Sequence, residues 1–243
     1  MQTSDQHYKI TDCIVAFIDV LGSSDMIMKN AQESLKIVHS AYIESIDLFK
    51  KIFGDNGKIP SVKIFSDNIV VAAPRKNNSI QTAFTAVAIM SAIIQVQFLK
   101  HELLTRGAIC SGSYFADDMM VWGTALVNAY KLENSIAIYP RVIIDPELVG
   151  ELGLTHPDSA LRAKEWVLQD EDRLFMVNCF HKALKERELF IVSLFDLVEE
   201  KIAESHDKIK VCQKWLWFSN CLQKRLTALS EEQKGESNEN NER

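Results

Sequence analysis

Val15 to Asp25 reads VAFIDVLGSSD, a β-rich apolar run that delivers one carboxylate, Asp19, just ahead of a glycine–serine stop. Ile14 to Val20 shows no helical period and is apolar on both alternations, which suits a central strand covered on both faces. A charge at the end of such a strand is costly unless something compensates it. The chain then repeats the pattern. In VKIFSDNIVVAAP, Val62 to Pro74, two short β-rich runs (Val62–Phe65 and Ile69–Ala73) flank the turn residues Ser66, Asp67 and Asn68. That spacing predicts an antiparallel hairpin with Asp67 at its tip, so two strands each end on an aspartate.

The segments around these two strands follow helical or strand periods. Ser24 to about Phe53 carries apolar residues at three- and four-residue steps and predicts a long amphipathic helix, stopped by Gly54-Asp55-Asn56-Gly57. Ser79–His101 predicts a second helix, and Arg106–Phe115 a strand in which Gly107 and Gly112 permit close backbone approach. Met119–Trp122 reads as a short strand, Thr124–Ser135 as a helix and Arg141–Asp145 as another strand. The order β-α-β-β-α-β-β-α-β predicts an α+β, ferredoxin-like sandwich, an antiparallel sheet with helices and some additions. Beyond it, Arg173–Phe180 reads as an edge strand, and Lys185–Ser205 and Lys208–Leu229 as helices, the last bearing Trp215, Trp217 and Phe218. The expected organisation is a core domain over 1–145, a mostly helical extension over 146–229 that completes it, and a disordered polar tail over 230–243.

Composition limits the function classes. A chain of 243 residues with 47% hydrophobic and 25% charged residues buries a full core. Its net charge of −6 argues against general attraction to nucleic acid or an anionic membrane, while admitting a local cationic pocket for one phosphorylated ligand. Five unevenly spaced cysteines with no CxxC pair suit a reducing compartment, and six histidines without HxxxH or HExxH spacing argue against zinc. No basic-then-apolar leader opens the chain, and its apolar runs are interrupted by Gln, Lys or Asp. The expectation is a cytoplasmic protein with neither a nucleic-acid nor a membrane partner.

If the first strand is central and the hairpin lies beside it, Asp19 and Asp67 come to neighbouring strand ends and repel unless a cation sits between them. Hard carboxylate oxygens with no histidine or thiolate nearby favour Mg²⁺ or Mn²⁺, and such pairs commonly hold two ions that clamp a phosphoryl centre. The structural alternative is that each aspartate only caps a turn. What separates the two is a third segment, MVWGTALVNAYKLE, from Met120 to Glu133.

Taken in order, FIDVLG (Phe17–Gly22), KIFSD (Lys63–Asp67), RGAICSG (Arg106–Gly112) and VWGTALVNAYKLE (Val121–Glu133) resemble the catalytic signature of class III nucleotidyl cyclases, over Cys13 to about Asp145. The DVLG variant and the Trp-rich C-terminal helix look most like the bacterial Pycsar pyrimidine nucleotide cyclases of anti-phage defence. By that resemblance Asp19 and Asp67 are the metal-binding, catalytic aspartates, and Val20 adds a main-chain carbonyl to the metal. Lys63 falls where the base is read, and Met120 replaces the aspartate of adenylyl cyclases. Lys131 stands at the transition-state arginine position; Val127 fills the asparagine position, with Asn128 one residue late. Arg106 and Tyr42 are candidates for contacts to base or triphosphate.

The implied reaction is attack of a ribose 3′-hydroxyl on its own α-phosphate, giving pyrophosphate and a 3′,5′-cyclic nucleotide. The resemblance also implies a homodimer with sites shared between protomers and a separate effector that reads the product. A lysine only donates hydrogen bonds, which favours UTP over CTP. An adenylyl or guanylyl cyclase and a silent nucleotide-binding module are the competing readings.

Overall fold

In the computed structural model the described residues are 9–53, 60–75, 79–155, 162–181 and 187–241. The first run forms β1 (Thr11–Val20), in which Cys13 to Ile18 are all buried, as a strand covered on both faces must be. Its neighbours are β3 (Asn68–Pro74) and β4 (Thr105–Ala116), both antiparallel, and β2 (Ser61–Phe65) pairs with β3 as the predicted hairpin. The resulting strand order β2-β3-β1-β4, with α1 (Ser23–Phe53) and α2 (Ile80–Lys100) as the two crossovers, is the ferredoxin-like arrangement expected from the element order.

Further elements extend this core. The two-residue β5 (Val121–Trp122) folds back on β4, α3 (Thr124–Ile136) follows, and β6 (Val142–Ile144) joins β4 as the parallel pair of the sheet. Next come α4 (Pro146–Leu152), α5 (Arg162–Glu165), β7 (Val167–Gln169) and β8 (Phe175–Val177). The finished sheet runs β2-β3-β1-β4-β6-β8-β7 and is mostly antiparallel. The strand expected at the edge over Arg173–Phe180 is the shorter β8, and it lies inside the sheet between β6 and β7. The edge belongs to β7, whose three residues are too few to show a period.

The chain divides into two compact units at Cys179–Phe180, with β7 and β8 in the sheet of the first. In the second unit, α6 (Arg187–Glu204) and α7 (Ile209–Asn241) are the two helices expected, and Trp215 meets Phe218 edge-on at 6.3 Å. α7 runs on to Asn241, into the stretch expected as the polar tail. Glu231, Glu232, Gln233 and Lys234 are good helix formers that extend a helix already nucleated upstream. The stop cluster over 54–57 and the expected start of α6 at 185 lie outside the described residues.

Local chemistry explains the helix ends. Ser79 caps α2, accepting from the Thr82 N–H at 3.2 Å. Within α1, Asn30 leaves helical geometry (φ −159°, ψ 90°), and its side chain accepts from the Glu33 N–H at 3.1 Å, so the helix restarts there under an asparagine cap. α2 is long and apolar enough to cross a membrane by length and composition, but 83% of that stretch is buried within the chain.

Candidate active site

Alternation along β1 sorts its side chains between the two faces of the sheet. Cys13, Val15 and Phe17 share one cluster with Val70 and Ala72 of β3, Cys110 and Tyr114 of β4, and Ala125 and Ala129 of α3. Asp19, two residues past Phe17, belongs to that same face, beneath α3. The buried stripe of α3 is Ala125, Ala129 and Glu133, one residue per four, so the helix lays a carboxylate on the sheet where an alanine stripe would otherwise continue.

That carboxylate meets a cation. Asp19 and Arg106 are direct partners across β1 and β4. Arg106 donates its Nε–H to Asp19 Oδ2 at 3.2 Å, and the same nitrogen stands 2.7 Å from Glu133 Oε1 as an ion pair. Glu133 is only 3% exposed, Asp19 20% and Arg106 23%, so the guanidinium bridges a buried carboxylate and a partly exposed one. The cation that the strand-end argument demanded is supplied, in part, by the chain itself.

Asp67 sits in the two-residue turn between β2 and β3, where Ser66 takes a left-handed φ of 57°. Its main-chain oxygen accepts from the Val20 N–H at 3.1 Å, which ties the hairpin tip to the end of β1. Its carboxylate accepts from the hydroxyl of Ser23, the first residue of α1, and from Asn68 Nδ2 at 3.0 Å. Gly22, at φ 80°, makes the sharp turn that brings Ser23 there. Asp19 pairs with Asn68 across β1 and β3, so the two aspartates lie at neighbouring strand ends, as expected.

The remaining predicted residues lie apart from this pair. Lys63 pairs with Val70 on β2–β3, and Val70 with Phe17. Lys63 therefore shares the face of Asp19 but stands about 10 Å across and about 7 Å along the sheet from it. Its ammonium lies 3.6 Å from Asp118 Oδ1. Met120 is exposed; its N–H and that of Met119 both bond Asp117 Oδ1 at 2.8 Å, and those two bonds hold the Asp117 carboxyl below its usual range. Asn128 and Lys131 are exposed on α3, and Lys131 points away from the buried stripe. Lys131 makes no ion pair among the described residues, and Glu133, two residues on, pairs with Arg106. Tyr42 is half-buried on α1, and burial raises its hydroxyl pKa.

Two residues of the cluster were not singled out from sequence, Ser23 and Glu133. The first carried a signal as the residue after a turn glycine at a helix start. The second carried the four-residue step from Ala125 and Ala129.

The chain matches no known protein-family model and no curated protein. Solved structures resemble it. The adenylyl cyclase CyaB from P. aeruginosa is 14% identical, with 71% of this chain and 96% of that one covered and a TM-score of 0.49. The monomeric guanylyl cyclase domain of the RhoGC fusion protein from the aquatic fungus Blastocladiella emersonii is 13% identical, with 70% and 96% covered and a TM-score of 0.49. A bacterial light-regulated adenylyl cyclase is 14% identical, with 76% and 58% covered and a TM-score of 0.44. At such identities and scores nothing about activity follows from the likeness.

Among the described residues no three His, Cys, Asp or Glu side chains gather to hold a metal ion by themselves. That fits Mg²⁺ or Mn²⁺ bound by one or two carboxylates, with water and substrate phosphates completing the shell. Asp19 Oδ1 accepts no hydrogen bond among the described residues, and each Asp67 oxygen has accepted only one, so both carboxylates keep lone pairs for a cation.

Proposed function

We propose that the chain is a nucleotidyl cyclase that converts UTP to 3′,5′-cyclic UMP and pyrophosphate. The observation that carries this reading is the pair of aspartates at neighbouring strand ends, one of them, Asp19, bonded by an arginine whose terminal N–H groups have no partner among the described residues. Carboxylates that retain lone pairs suit divalent cations, and a guanidinium fork suits phosphate oxygens. Asp19, Asp67 and the Val20 carbonyl would hold Mg²⁺ or Mn²⁺, as two ions, which when bound would make the ribose hydroxyl more acidic and neutralise the triphosphate.

The chain's own residues supply the rest. Arg106 binds phosphate oxygens beside Asp19. Lys131 neutralises charge developing at phosphorus, an electrostatic effect worth about 3 kcal/mol where comparable donors have been removed. Because Lys131 points away from Asp19 within one protomer, it acts in the site of a second copy, and Asn128 on the same helix would orient the ribose there. Support for a second copy comes from the apolar residues that this side leaves exposed, Phe65, Trp122, Val127 and Tyr130. In the setting that the resemblance implies, anti-phage defence, a separate effector reads the product.

Lys63 donating to O4 or O2 of uracil supports UTP. A second reading, CTP, is favoured by Asp118, since a carboxylate beside Lys63 offers an acceptor for the exocyclic amine of cytosine. The test is turnover of all four triphosphates with Mn²⁺, the product identified by mass. Cyclic UMP as the main product is expected, cyclic CMP selects the second reading, and binding without pyrophosphate release would leave a silent nucleotide-binding module.

A further inference from the structure

Glu133 is a charged residue at 3% exposure on a helix whose other buried positions are alanines. Burying a carboxylate is costly unless it is paired. Its partner is Arg106, at 2.7 Å from Nε to Oε1, the shortest leg of the three-residue bridge. The Nε–H itself is donated to Asp19 Oδ2 at 3.2 Å, so one nitrogen stands between a core carboxylate that holds it by charge and a carboxylate at the proposed metal position that holds it by a hydrogen bond.

The geometry of sharing matters. A guanidinium has five N–H groups, and only one of them is engaged by the described residues. Were Glu133 absent, Asp19 would be the only carboxylate within reach of Arg106. The long arginine side chain would then turn its bidentate end onto Asp19, the pairing that guanidinium and carboxylate prefer. That would both spend the fork and cover the aspartate.

We propose that Glu133 is a positioning residue: by pairing its charge with the Nε side of Arg106 from inside the core, it holds the guanidinium off full pairing with Asp19 and keeps the terminal N–H groups available to a polyphosphate. This rests on reading the strand-end cluster as a triphosphate site, and it adds a residue whose side chain need never touch substrate.

The experiment uses inorganic triphosphate with Mg²⁺ as the binding probe, read by calorimetry on the full chain, alongside KM and kcat for the preferred nucleotide. Glu133→Met keeps the bulk and removes the acceptor. It is expected to weaken triphosphate binding about tenfold, and to raise KM more than it lowers kcat, the loss of the orientation that one buried ion pair supplies. Glu133→Gln keeps an acceptor oxygen without the charge and should fall between wild type and Glu133→Met. Since Glu133→Met risks the fold, Glu133→Gln carries the test if that variant does not melt cooperatively. Combining Glu133→Met with Arg106→Gln should weaken binding no further than Arg106→Gln alone, because the two residues act in series.

Unchanged triphosphate affinity in folded Glu133→Met, wild-type affinity in Glu133→Gln when that variant carries the test, or additive losses in the double variant would overturn the proposal. A wild type that binds triphosphate through Arg106 and Glu133 as described, yet makes no cyclic nucleotide, sinks the cyclase reading and leaves this inference standing. A wild type that binds no triphosphate removes both.

Discussion

Asp19 and Asp67 occupy equivalent strand ends but are held by different chemistry, and substitution should expose the difference. Asp67 takes hydrogen bonds from Ser23 and Asn68, whereas Asp19 faces Arg106. Asp67→Ala leaves the buried Ser23 hydroxyl without its acceptor, a loss of about 1–2 kcal/mol, readable as a shifted urea midpoint. Asp19→Ala leaves Arg106 with Glu133 and should cost less. Both should abolish turnover with cooperative unfolding retained, and an active Asp67→Ala enzyme would reduce that residue to a turn former. Lys63 offers a parallel test of base choice. A hydrogen bond to a charged group contributes about 1.5–3 kcal/mol, so Lys63→Ala should shrink the preference for UTP over CTP by roughly ten- to a hundredfold. An unmoved ratio assigns the base to other residues. Both aspartates were legible in the sequence because each stands alone against an apolar strand. Glu133 was not, because a helical period states which residues share a face but not that the face is laid on Arg106.

At the scale of elements, the core was legible wherever a strand or helix was long enough to show a period. β1, the β2–β3 hairpin, α2, β4 and α3 fall within a few residues of their expected bounds. β7 and β8 have three residues each and are held by sheet pairing and by a neighbouring ion cluster that no period reveals. Arg141, 3% exposed, binds both Asp170 and Asp172 in the turn that joins them. The hydrogen bond from Arg141 holds the Asp172 carboxyl below its ordinary value of 3.8. A carboxyl so depressed adds stability that is present above its unfolded pKa and lost as pH falls through its folded one. Thermal melting should therefore drop steeply in acid, below about pH 4. Asp172→Asn should flatten that limb while lowering stability at neutral pH, and an unchanged acid limb would show that the pair contributes nothing.

For the molecule as a whole, the two proposed sets of site residues do not meet within one chain. Asp19, Asp67 and Arg106 gather at the strand ends under α3, and Lys131 lies exposed on the side of α3 away from the buried stripe. The sequence showed both sets in one short segment order but could not show that the helix turns them apart, since that depends on which stripe the sheet buries. If two copies complete each other, an isologous pair carries two sites, each drawing the aspartates from one chain and Lys131 from the other. Asp19→Ala and Lys131→Ala proteins, each inactive alone, should then recover activity on mixing. Random exchange makes half of the dimers hybrids, each with one intact site of two, so recovery should approach about a quarter of wild type. The fluorescence of one labelled partner would confirm exchange independently. Full exchange without recovery would place aspartates and lysine in the same chain's site, and would require α3 to rotate before chemistry, a change that crosslinking α3 to β4 would then block.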